Sequence, residues 1–335
     1  MTILIVTGMD DVHADRIIPQ IEECSNHNVV RLNTDNLADN ATISIDGDRW
    51  DGRICLGDSG RSFSFSEVTS IWYRKPVPIE SQNMRLSTAA KSFVHDEYTA
   101  LFKSLIGILN SCFWVSDYWS IQQASHKLPN LRLASALGLA TPRTFVTTDP
   151  KAARRFAEDC AWHILAKPFG LTTFKHPSDP ATSWDSFASA VSRESFDKLH
   201  DSIALAPTML QEYVDKDIEL RATVVGSQIF CTAIDSQKHE FAVHDWRAVD
   251  VEELGHEPYV LPADFAQKLL QFNRHYGLQF STFDIILDKN GKYVWLECNP
   301  NGQWLWLEEL TGQPISEAIA NLLTEPATYR LPLTV

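Results

Sequence analysis

Short apolar runs alternate with amphipathic segments over the first 120 residues of the chain. The sequence opens on an apolar run, and the polar residues after it lead to Ile17, Ile18 and Ile21 at helical spacing, which predicts a strand, a loop and a helix. The further predicted elements are strands at 29–33, 70–76 and 113–115, a hairpin of 42–45 with 53–56, and a long helix at 86–109. This order indicates an α/β domain that ends near residue 120.

A second pattern begins after Ser125, with a helix that Gly138 and Pro142 bring to an end. The stretch 169–182 is rich in glycine, proline and threonine, and it predicts a loop that is a candidate mobile flap. An Asn-Gly pair at 290–291 predicts a tight hairpin. The predicted helices are 127–137, 150–160 and 262–276, and the predicted strands are 143–147, 164–168, 208–214, 219–226, 228–233, 281–287 and 293–298.

The composition is that of a globular protein, since 44% of the 335 residues are hydrophobic and 21% are charged. No apolar run approaches the ~20 residues of a membrane span, and the N-terminal run lacks a basic flank, so we expect a cytoplasmic protein. The net charge of −14 disfavours binding to nucleic acid or to anionic membranes, and it favours a cationic partner segment. The six cysteines stand singly, which argues against a zinc site and against a disulfide framework.

Acidic residues on two neighbouring predicted strands form the most informative pattern. Glu297 and Asn299 are two apart and project to one face, and the Asn-Gly hairpin brings Asp284 onto the adjacent strand. Two carboxylates and an amide oxygen suit Mg²⁺, which keeps several waters and takes one or two carboxylates beside substrate phosphates. Cys298, between them, is expected to face the opposite side and to be inert. The alternative is a solvated hairpin whose acidic residues point outward.

Two lysines are candidates for contacts with nucleotide phosphates. Lys167 stands at the end of the strand that starts at Ile164, and Lys127 precedes a helix earlier in the chain. The loop that begins at Gly170 strengthens the case for Lys167, because backbone N–H groups and hydroxyls near it can cover phosphate oxygens. Each lysine taken alone is more often a solvated surface residue.

Two further pairs of residues are candidates for contacts with the nucleotide or the substrate. Glu219 and Arg221 share one strand face. In one interpretation the Glu219 carboxylate binds ribose hydroxyls or a peptide, and the Arg221 guanidinium binds the γ-phosphate. A cross-strand surface ion pair is the alternative. In the polar loop 235–250, Arg247 can hold a substrate carboxylate with help from His244, although ordinary loop chemistry accounts for this segment equally well.

An ordered set of short segments spans most of the chain: 71–76, Lys127 with 131–134 and 138–142, 166–168, 211–214, 219–226, 245–247 and 297–304. Together they resemble the ATP-grasp superfamily and, within it, the microviridin-type peptide ligases, also called graspetide synthetases. The last segment, with its Gly-Gln-Trp ending, is the most discriminating. One position departs from the pattern, because Lys75 stands where the family often has a second arginine before the proline.

The resemblance implies an α/β fold in which a pre-ATP-grasp domain precedes two α+β lobes that clasp ATP and Mg²⁺. We expect the pre-ATP-grasp domain at 1–120, the central lobe with a phosphate-covering loop at 121–205, and the C-terminal lobe with the Mg²⁺ and peptide sites at 206–335. The implied roles are phosphate binding by Lys127 and Lys167; further nucleotide contacts by Gln211, Glu212, Tyr213, Val214, Glu219 and Arg221; Mg²⁺ binding by Asp284, Glu297 and Asn299; catalysis by Lys167, Arg221, His244 and Arg247; and peptide contacts by Arg74, Asp235, His244 and Arg247.

The resemblance also implies a reaction. An Asp or Glu side chain of a ribosomal precursor peptide attacks the γ-phosphate of ATP, and a Ser or Thr hydroxyl, or a Lys amine, then displaces phosphate to close an ester or amide ring. The implied partner is a precursor with a leader and a core segment, and the family implies a homodimer. The alternatives are an ATP-grasp ligase that adds amino acids to a protein C-terminus and a catalytically silent nucleotide-binding regulatory protein.

Overall fold

The chain folds into several small sheets with helices packed on their faces. This computed structural model describes residues 1–170, 173–176, 179–185 and 188–333, and only the backbone between 173 and 185. The strands are β1 Thr2–Thr7, β2 Asn28–Asn33, β3 Ala41–Asp46, β4 Asp51–Leu56, β5 Ser62–Ser64, β6 Val68–Tyr73, β7 Phe113–Val115, β8 Thr144–Thr147, β9 Ile164–Lys167, β10 Thr173–His176, β11 Asp179–Asp185, β12 Ser189–Ala190, β13 Thr208–Glu212, β14 Lys216–Val225, β15 Gln228–Ile234, β16 His256–Tyr259, β17 Phe280–Asp288 and β18 Tyr293–Asn299.

The helices lie between these strands and after the last of them. They are α1 Val12–Cys24, α2 Leu37–Asn40, α3 Thr88–Ile108, α4 Tyr118–Ala124, α5 Lys127–Ala136, α6 Pro150–Asp159, α7 Arg193–Leu199, α8 Ala263–Tyr276, α9 Leu305–Thr311, α10 Ile315–Thr324 and α11 Pro326–Tyr329. The described helices include none that is long and apolar enough to cross a membrane. The mixed α/β fold class predicted from the sequence is confirmed.

The N-terminal sheet is parallel, with strand order β2-β1-β6-β7. Every residue of β1 is buried, because the sheet is covered on both faces. Ile3 packs with Ile17 of α1 and Ile319 of α10, whereas Leu4 packs with Leu105 of α3. Helix α10 belongs to the last part of the sequence, so the N-terminal sheet and the C-terminal helices share one apolar core.

Two antiparallel sheets follow in the remainder of the chain. The first has strand order β12-β9-β13-β8 and packs on α6, where Phe156 meets Leu210. The second has order β16-β15-β14-β17-β18 and packs on α8, where Phe272 meets Phe283 and Trp295. A separate sheet of β3, β4 and β5 contains the hairpin that the sequence predicted. The proposed division at residues 120 and 205 stays a prediction.

The segment 169–182 departs from the sequence-based expectation. A loop was predicted there, but Thr173–His176 and Asp179–Asp185 pair as the antiparallel strands β10 and β11; residues 171, 172, 177 and 178 lie outside the described residues. Its glycine, threonine and proline residues suit turns and do not exclude a two-stranded ribbon, whose hydrogen bonds come from the backbone. The sequence analysis also left β5, β12, β16, α2, α4, α7, α9, α10 and α11 unassigned, and all of these except α10 are too short to show a clear periodicity.

Candidate active site

A cleft of about 380 Å³ lies between the sheet that holds β9 and β13 and the sheet that holds β14, β17 and β18. Its size is within the usual range for a small-molecule site. Among its lining residues are the predicted Lys127, Lys167, Gln211, Glu212, Tyr213, Val214, Glu219, His244, Arg247, Asp284, Glu297 and Asn299. The fold therefore brings most of the predicted site residues, from six separate segments, to one surface.

The predicted metal ligands lie on the facing strands β17 and β18. Asp284 is directly opposite Glu297, and Asn299 is two residues further along the same strand face. A β-bulge makes this arrangement possible: Asp284 pairs with Glu297 but Ile285 pairs with Trp295, which leaves Leu296 as the extra residue. Without the bulge, strict alternation would put Glu297 on the same face as Trp295, in the core.

Arg221 holds one of these carboxylates from the neighbouring strand β14. It lies opposite Asp284, and its Nη1 donates to Asp284 Oδ1 at 2.7 Å. Its Nη2 donates to the carbonyl of Gln303 at 3.3 Å, and its guanidinium lies 6.0 Å from the ring centre of Trp246. Arg221 does not line the cleft itself, so it reaches the predicted metal site through Asp284.

The donor set suits a hard divalent cation. Arg221 occupies Oδ1 of Asp284 and leaves Oδ2, and Asn299 Oδ1 accepts one hydrogen bond, from the N–H of Asn301 at 3.1 Å, so a second lone pair remains. Two carboxylates and an amide oxygen at a polar cleft match Mg²⁺. The described residues hold no cluster of three or more His, Cys, Asp or Glu side chains that could bind a metal, as a zinc site requires.

Two lysines face this carboxylate pair across the cleft. Burial lowers the pKa of Lys167 and of Lys127, and the Glu297 carboxylate partly offsets that effect at both. Lys127 Nζ donates to the carbonyl of Pro168 at 2.5 Å, which ties α5 to the end of β9. Both are partly buried cleft residues, so the alternative of two solvated surface lysines is wrong.

The end of β13 forms an aromatic wall of the cleft. Tyr213 stacks on His163, with ring centres 4.8 Å apart, and meets His244 edge-on at 5.4 Å. Its hydroxyl donates to the carbonyl of Val243 at 3.3 Å. Gln211 is buried, and its Nε2 donates to Thr144 Oγ1 at 3.0 Å. A flat wall beside a strand end is suited to a planar base.

Glu219 is buried and belongs to a small ionic network. Its Oε1 accepts from Lys216 Nζ at 2.8 Å and from Ser236 Oγ at 2.7 Å, and burial raises the pKa of its carboxyl group. Lys216 Nζ also donates to the carbonyl of His244 at 3.1 Å. Glu219 and Arg221 therefore have separate partners in the interior, and the surface ion pair considered from the sequence is wrong.

Arg247 is fixed by its neighbour in the chain. Its Nε and Nη2 donate to the two carboxylate oxygens of Asp245 at 2.8 and 2.7 Å, while its Nη1 lies 3.8 Å from Glu297 Oε1. His244 is exposed at the cleft. Burial raises the pKa of the Cys298 thiol, which packs with Ile121 and Leu278, as expected for an inert cysteine.

Two predicted peptide contacts do not line the cleft. Asp235 pairs with Lys238 within its own loop. Arg74 is fully buried and donates from Nη1 to the carbonyl of Asn301 at 2.6 Å. The roles of these residues in peptide binding stay predictions.

Sequence reasoning missed Lys216, Asp245 and Asn301. Each lies within five residues of one that was singled out. The contacts of Lys216 and Asn301 are with partners distant in sequence, and that of Asp245 is a two-bond contact with the Arg247 guanidinium inside the loop. For Asp245 a signal existed, because an acid two residues before Arg247 is placed to hold its guanidinium.

Comparison with known proteins identifies relatives of the N-terminal domain and of the whole fold. The model of the MvdD pre-ATP-grasp domain matches residues 2–122. The macrocyclase MdnC bound with precursor peptide MdnA, from Microcystis aeruginosa MRC, is 28% identical over 97% of this chain and 100% of its own, with a TM-score of 0.85. The macrocyclase MdnB from the same organism is also 28% identical, over 97% and 99%, with a TM-score of 0.77.

A third structure shares the fold at lower identity. It is the RiPP-associated ATP-grasp ligase of Chryseobacterium gregarium in complex with ADP and a leader and core peptide, 24% identical over 100% of this chain and 99% of its own, with a TM-score of 0.87. No curated protein sequence matches the chain.

Residues 2–122 match an MvdD-type pre-ATP-grasp domain, and the chain as a whole shares the fold of macrocyclases and of an ATP-grasp ligase. Among these proteins the chain is similar to the microviridin-type macrocyclases, and the resemblance predicted from its motifs is confirmed.

Proposed function

We propose that this chain is an ATP-dependent peptide ligase that activates Asp or Glu side chains of a ribosomal precursor peptide. It joins these side chains to Ser or Thr hydroxyls of the same peptide, which gives esters, or to Lys amines of the same peptide, which gives amides. The observation that carries the proposal is that one cleft holds the basic residues Lys127, Lys167 and Arg247 opposite the carboxylates of Asp284 and Glu297, beside an aromatic wall.

The charges of this cleft suit a nucleotide triphosphate with its metal. Lys127, Lys167 and Arg247 all lie close enough to Glu297 to interact with its carboxylate. Partly buried lysines with lowered pKa values are stabilised in their charged form by an incoming anion, and phosphate groups supply that negative charge. When bound, Mg²⁺ would neutralise charge on the phosphate oxygens, with Asp284, Glu297 and Asn299 as its protein ligands.

The chemistry needs positioning more than it needs a protein nucleophile. A carboxylate is a poor electrophile, so transfer of the γ-phosphoryl group gives the peptide side chain a leaving group and releases ADP. A hydroxyl or amine of the peptide then loses its proton, bonds to the acyl carbon and displaces phosphate. Lys167 is placed to neutralise charge on the transferred group, and Arg221 holds Asp284 beside it.

The partner would be a precursor peptide with a leader and a core that carries Ser or Thr and Asp or Glu. Support comes from MdnC, a 28% identical protein that was solved bound with its precursor peptide. Asp235, His244 and Arg247 are proposed to lie near the peptide, and the net charge of −14 favours a leader with basic residues. Homodimerisation and a cytoplasmic location stay predictions.

Co-expression with a candidate precursor tests the proposal. Each ring closed by condensation lowers the mass of the peptide by about 18 Da. We expect Asp284→Asn to abolish that loss, and Asp217→Asn, at an exposed position of β14, to retain it.

The alternatives give different results in the same experiment. A peptide that gains the mass of an amino acid would favour a ligase that extends a C-terminus. Unchanged peptide mass, together with ADP release that peptide does not stimulate, would favour a silent nucleotide-binding protein and would reject the proposal.

A further inference from the structure

We propose that Arg74, which directly follows strand β6 of the N-terminal sheet, is a positioning residue that orients the predicted metal ligand Asn299 through Asn301. The N-terminal domain would thereby contribute to nucleotide binding without lining the cleft. The inference rests on the proposed function, because the metal–nucleotide site is what Arg74 would position.

Arg74 follows directly after β6 and is fully buried. Its Nη1 donates to the carbonyl of Asn301 at 2.6 Å, while Nε and Nη2 have no hydrogen-bond partner among the described residues. Burial lowers the pKa of Arg74 to about 10, against the opposing effect of the Asp11 carboxylate. A buried guanidinium with unused donors costs stability, so a role beyond packing would account for an arginine here.

Asn301 transmits the contact to the metal site. Its carbonyl accepts from Arg74, and its N–H donates to Asn299 Oδ1 at 3.1 Å. The two groups lie in adjacent peptide units that meet at the Asn301 Cα, so the bond to Arg74 restrains the backbone of the residue whose N–H holds the Asn299 amide. With the amide oxygen pinned in this way, a remaining lone pair is available to a cation in the cleft.

The loop 299–305 is held from the opposite side as well. A Cβ atom on Gly302 would lie 1.9 Å from Thr282 Oγ1, so only glycine allows the loop to pack this closely on β17. Arg221 donates to the carbonyl of Gln303. The loop therefore lies between Arg74 of the N-terminal sheet and Arg221 of β14.

His13 fixes the far end of the same loop. Its Nε2 accepts from the N–H groups of Trp304 and Leu305 at 3.3 and 3.4 Å, which requires that Nε2 carry no proton. Its Nδ1 then carries the proton and faces Asp11 Oδ1 at 3.3 Å. With both ends of the loop fixed, the position of Asn301 depends on the donor that Arg74 supplies in the middle.

Removal of that donor should weaken nucleotide binding in the presence of the metal and leave nucleotide binding without the metal unchanged. Groups that orient metal ligands typically contribute about ten- to hundredfold to metal affinity. The test measures the Kd of ADP by calorimetry, once with Mg²⁺ and once with EDTA. For Arg74→Met we expect a Kd in Mg²⁺ that is about tenfold higher or more, and an unchanged Kd in EDTA.

The matched control is Arg16→Met. Arg16 bonds to Glu309 at 3.0 Å, between α1 and α9, but both side chains are exposed. We expect this variant to bind ADP as the wild type does under both conditions.

An Arg74→Met protein that folds and shows either no change or an equal change under both conditions overturns the inference. If this variant does not fold, Arg74→Gln is measured in the same way, since its shorter, neutral side chain removes the donor from the Asn301 carbonyl. No metal-selective loss in Arg74→Gln then overturns the inference. A wild-type protein whose ADP affinity is indifferent to Mg²⁺ would contradict the proposed function instead.

Discussion

At the scale of single residues, the site is defined by charges that are partly withdrawn from water. Lys127 and Lys167 have lowered pKa values because burial disfavours an ammonium ion, and Glu219 has a raised one because burial disfavours a carboxylate. Such groups cost stability in the empty protein. Their presence at a cleft is typical of a binding site for charged ligands.

Lys167→Met should weaken nucleotide binding while it stabilises the protein. Loss of a charged phosphate contact is expected to raise the Kd of ATP about ten- to hundredfold. The folded-state pKa of Lys167 is lowered, so its charge costs stability at neutral pH, and this cost disappears as pH rises towards the unfolded value of 10.5.

Calorimetry and thermal unfolding measure these two effects of Lys167→Met. At neutral pH the variant should melt above the wild type. The control Lys198→Met, in an exposed pair with Glu194, should change neither quantity. A variant that melts lower and binds ATP normally would contradict the assignment.

Glu219→Gln should change how stability depends on pH. The folded pKa of Glu219 is raised, so the native state binds more protons than the unfolded state above the unfolded value of 4.5. The stability that Glu219 contributes therefore falls as the pH rises from 4.5 to the folded pKa of Glu219, and it is constant above that folded pKa.

The measurement is urea unfolding of wild type and Glu219→Gln over a pH series. The free energy of unfolding of the wild type, relative to the variant, should decrease through this window. Exposed Glu240→Gln is the control and should give a flat difference. A flat difference for Glu219→Gln as well would show that burial does not perturb its carboxyl group.

At the scale of elements, local sequence patterns predicted the strands β17 and β18 but not the way in which their side chains face each other. The Asn-Gly hairpin and the facing strands were predictable, because turn chemistry and alternation are local. The bulge at Leu296 was not predictable from the sequence, yet it turns Glu297 away from the core face that Trp295 occupies. A bulge depends on how the strand meets its partner, and a single strand's sequence does not specify it.

Gly302→Ala tests the close packing of the following loop on β17. The added methyl would overlap Thr282, and we expect the free energy of unfolding to fall by about 1–3 kcal/mol. In the control, Gly107→Ala in α3, the added methyl meets no atom within 4 Å and should stabilise the helix by about 0.5–1 kcal/mol. Urea unfolding measures both, and a Gly302→Ala protein as stable as the wild type would contradict the packing.

At the scale of the whole molecule, two sheets provide opposite walls of one cleft. Nucleotide phosphates are expected to contact Lys167 on the β9 side and the metal ligands on the β18 side. A ligand that bridges both walls stabilises the folded state by mass action.

Mg²⁺ and ADP together should therefore raise the thermal midpoint more than ADP alone. Saturation at 100 times the Kd is worth about 2.7 kcal/mol. Chelation of the metal with EDTA should remove part of this gain, and Asp284→Asn should make the midpoint insensitive to EDTA. Asp217→Asn should behave as the wild type, and an Mg²⁺ effect that survives in Asp284→Asn would place the metal elsewhere.

The sequence by itself determined the fold class, the main helices and strands, and most of the residues that line the candidate site, because burial patterns, turn residues and ordered motifs are properties of short segments. Only the tertiary structure decided which side chains meet. Lys216 reaches the carbonyl of His244, Arg221 reaches Asp284, and Arg74 reaches Asn301 across 227 positions. The physical reason is that contact between distant segments depends on sheet order, bulges and packing of the whole chain, and none of these is encoded in a local pattern.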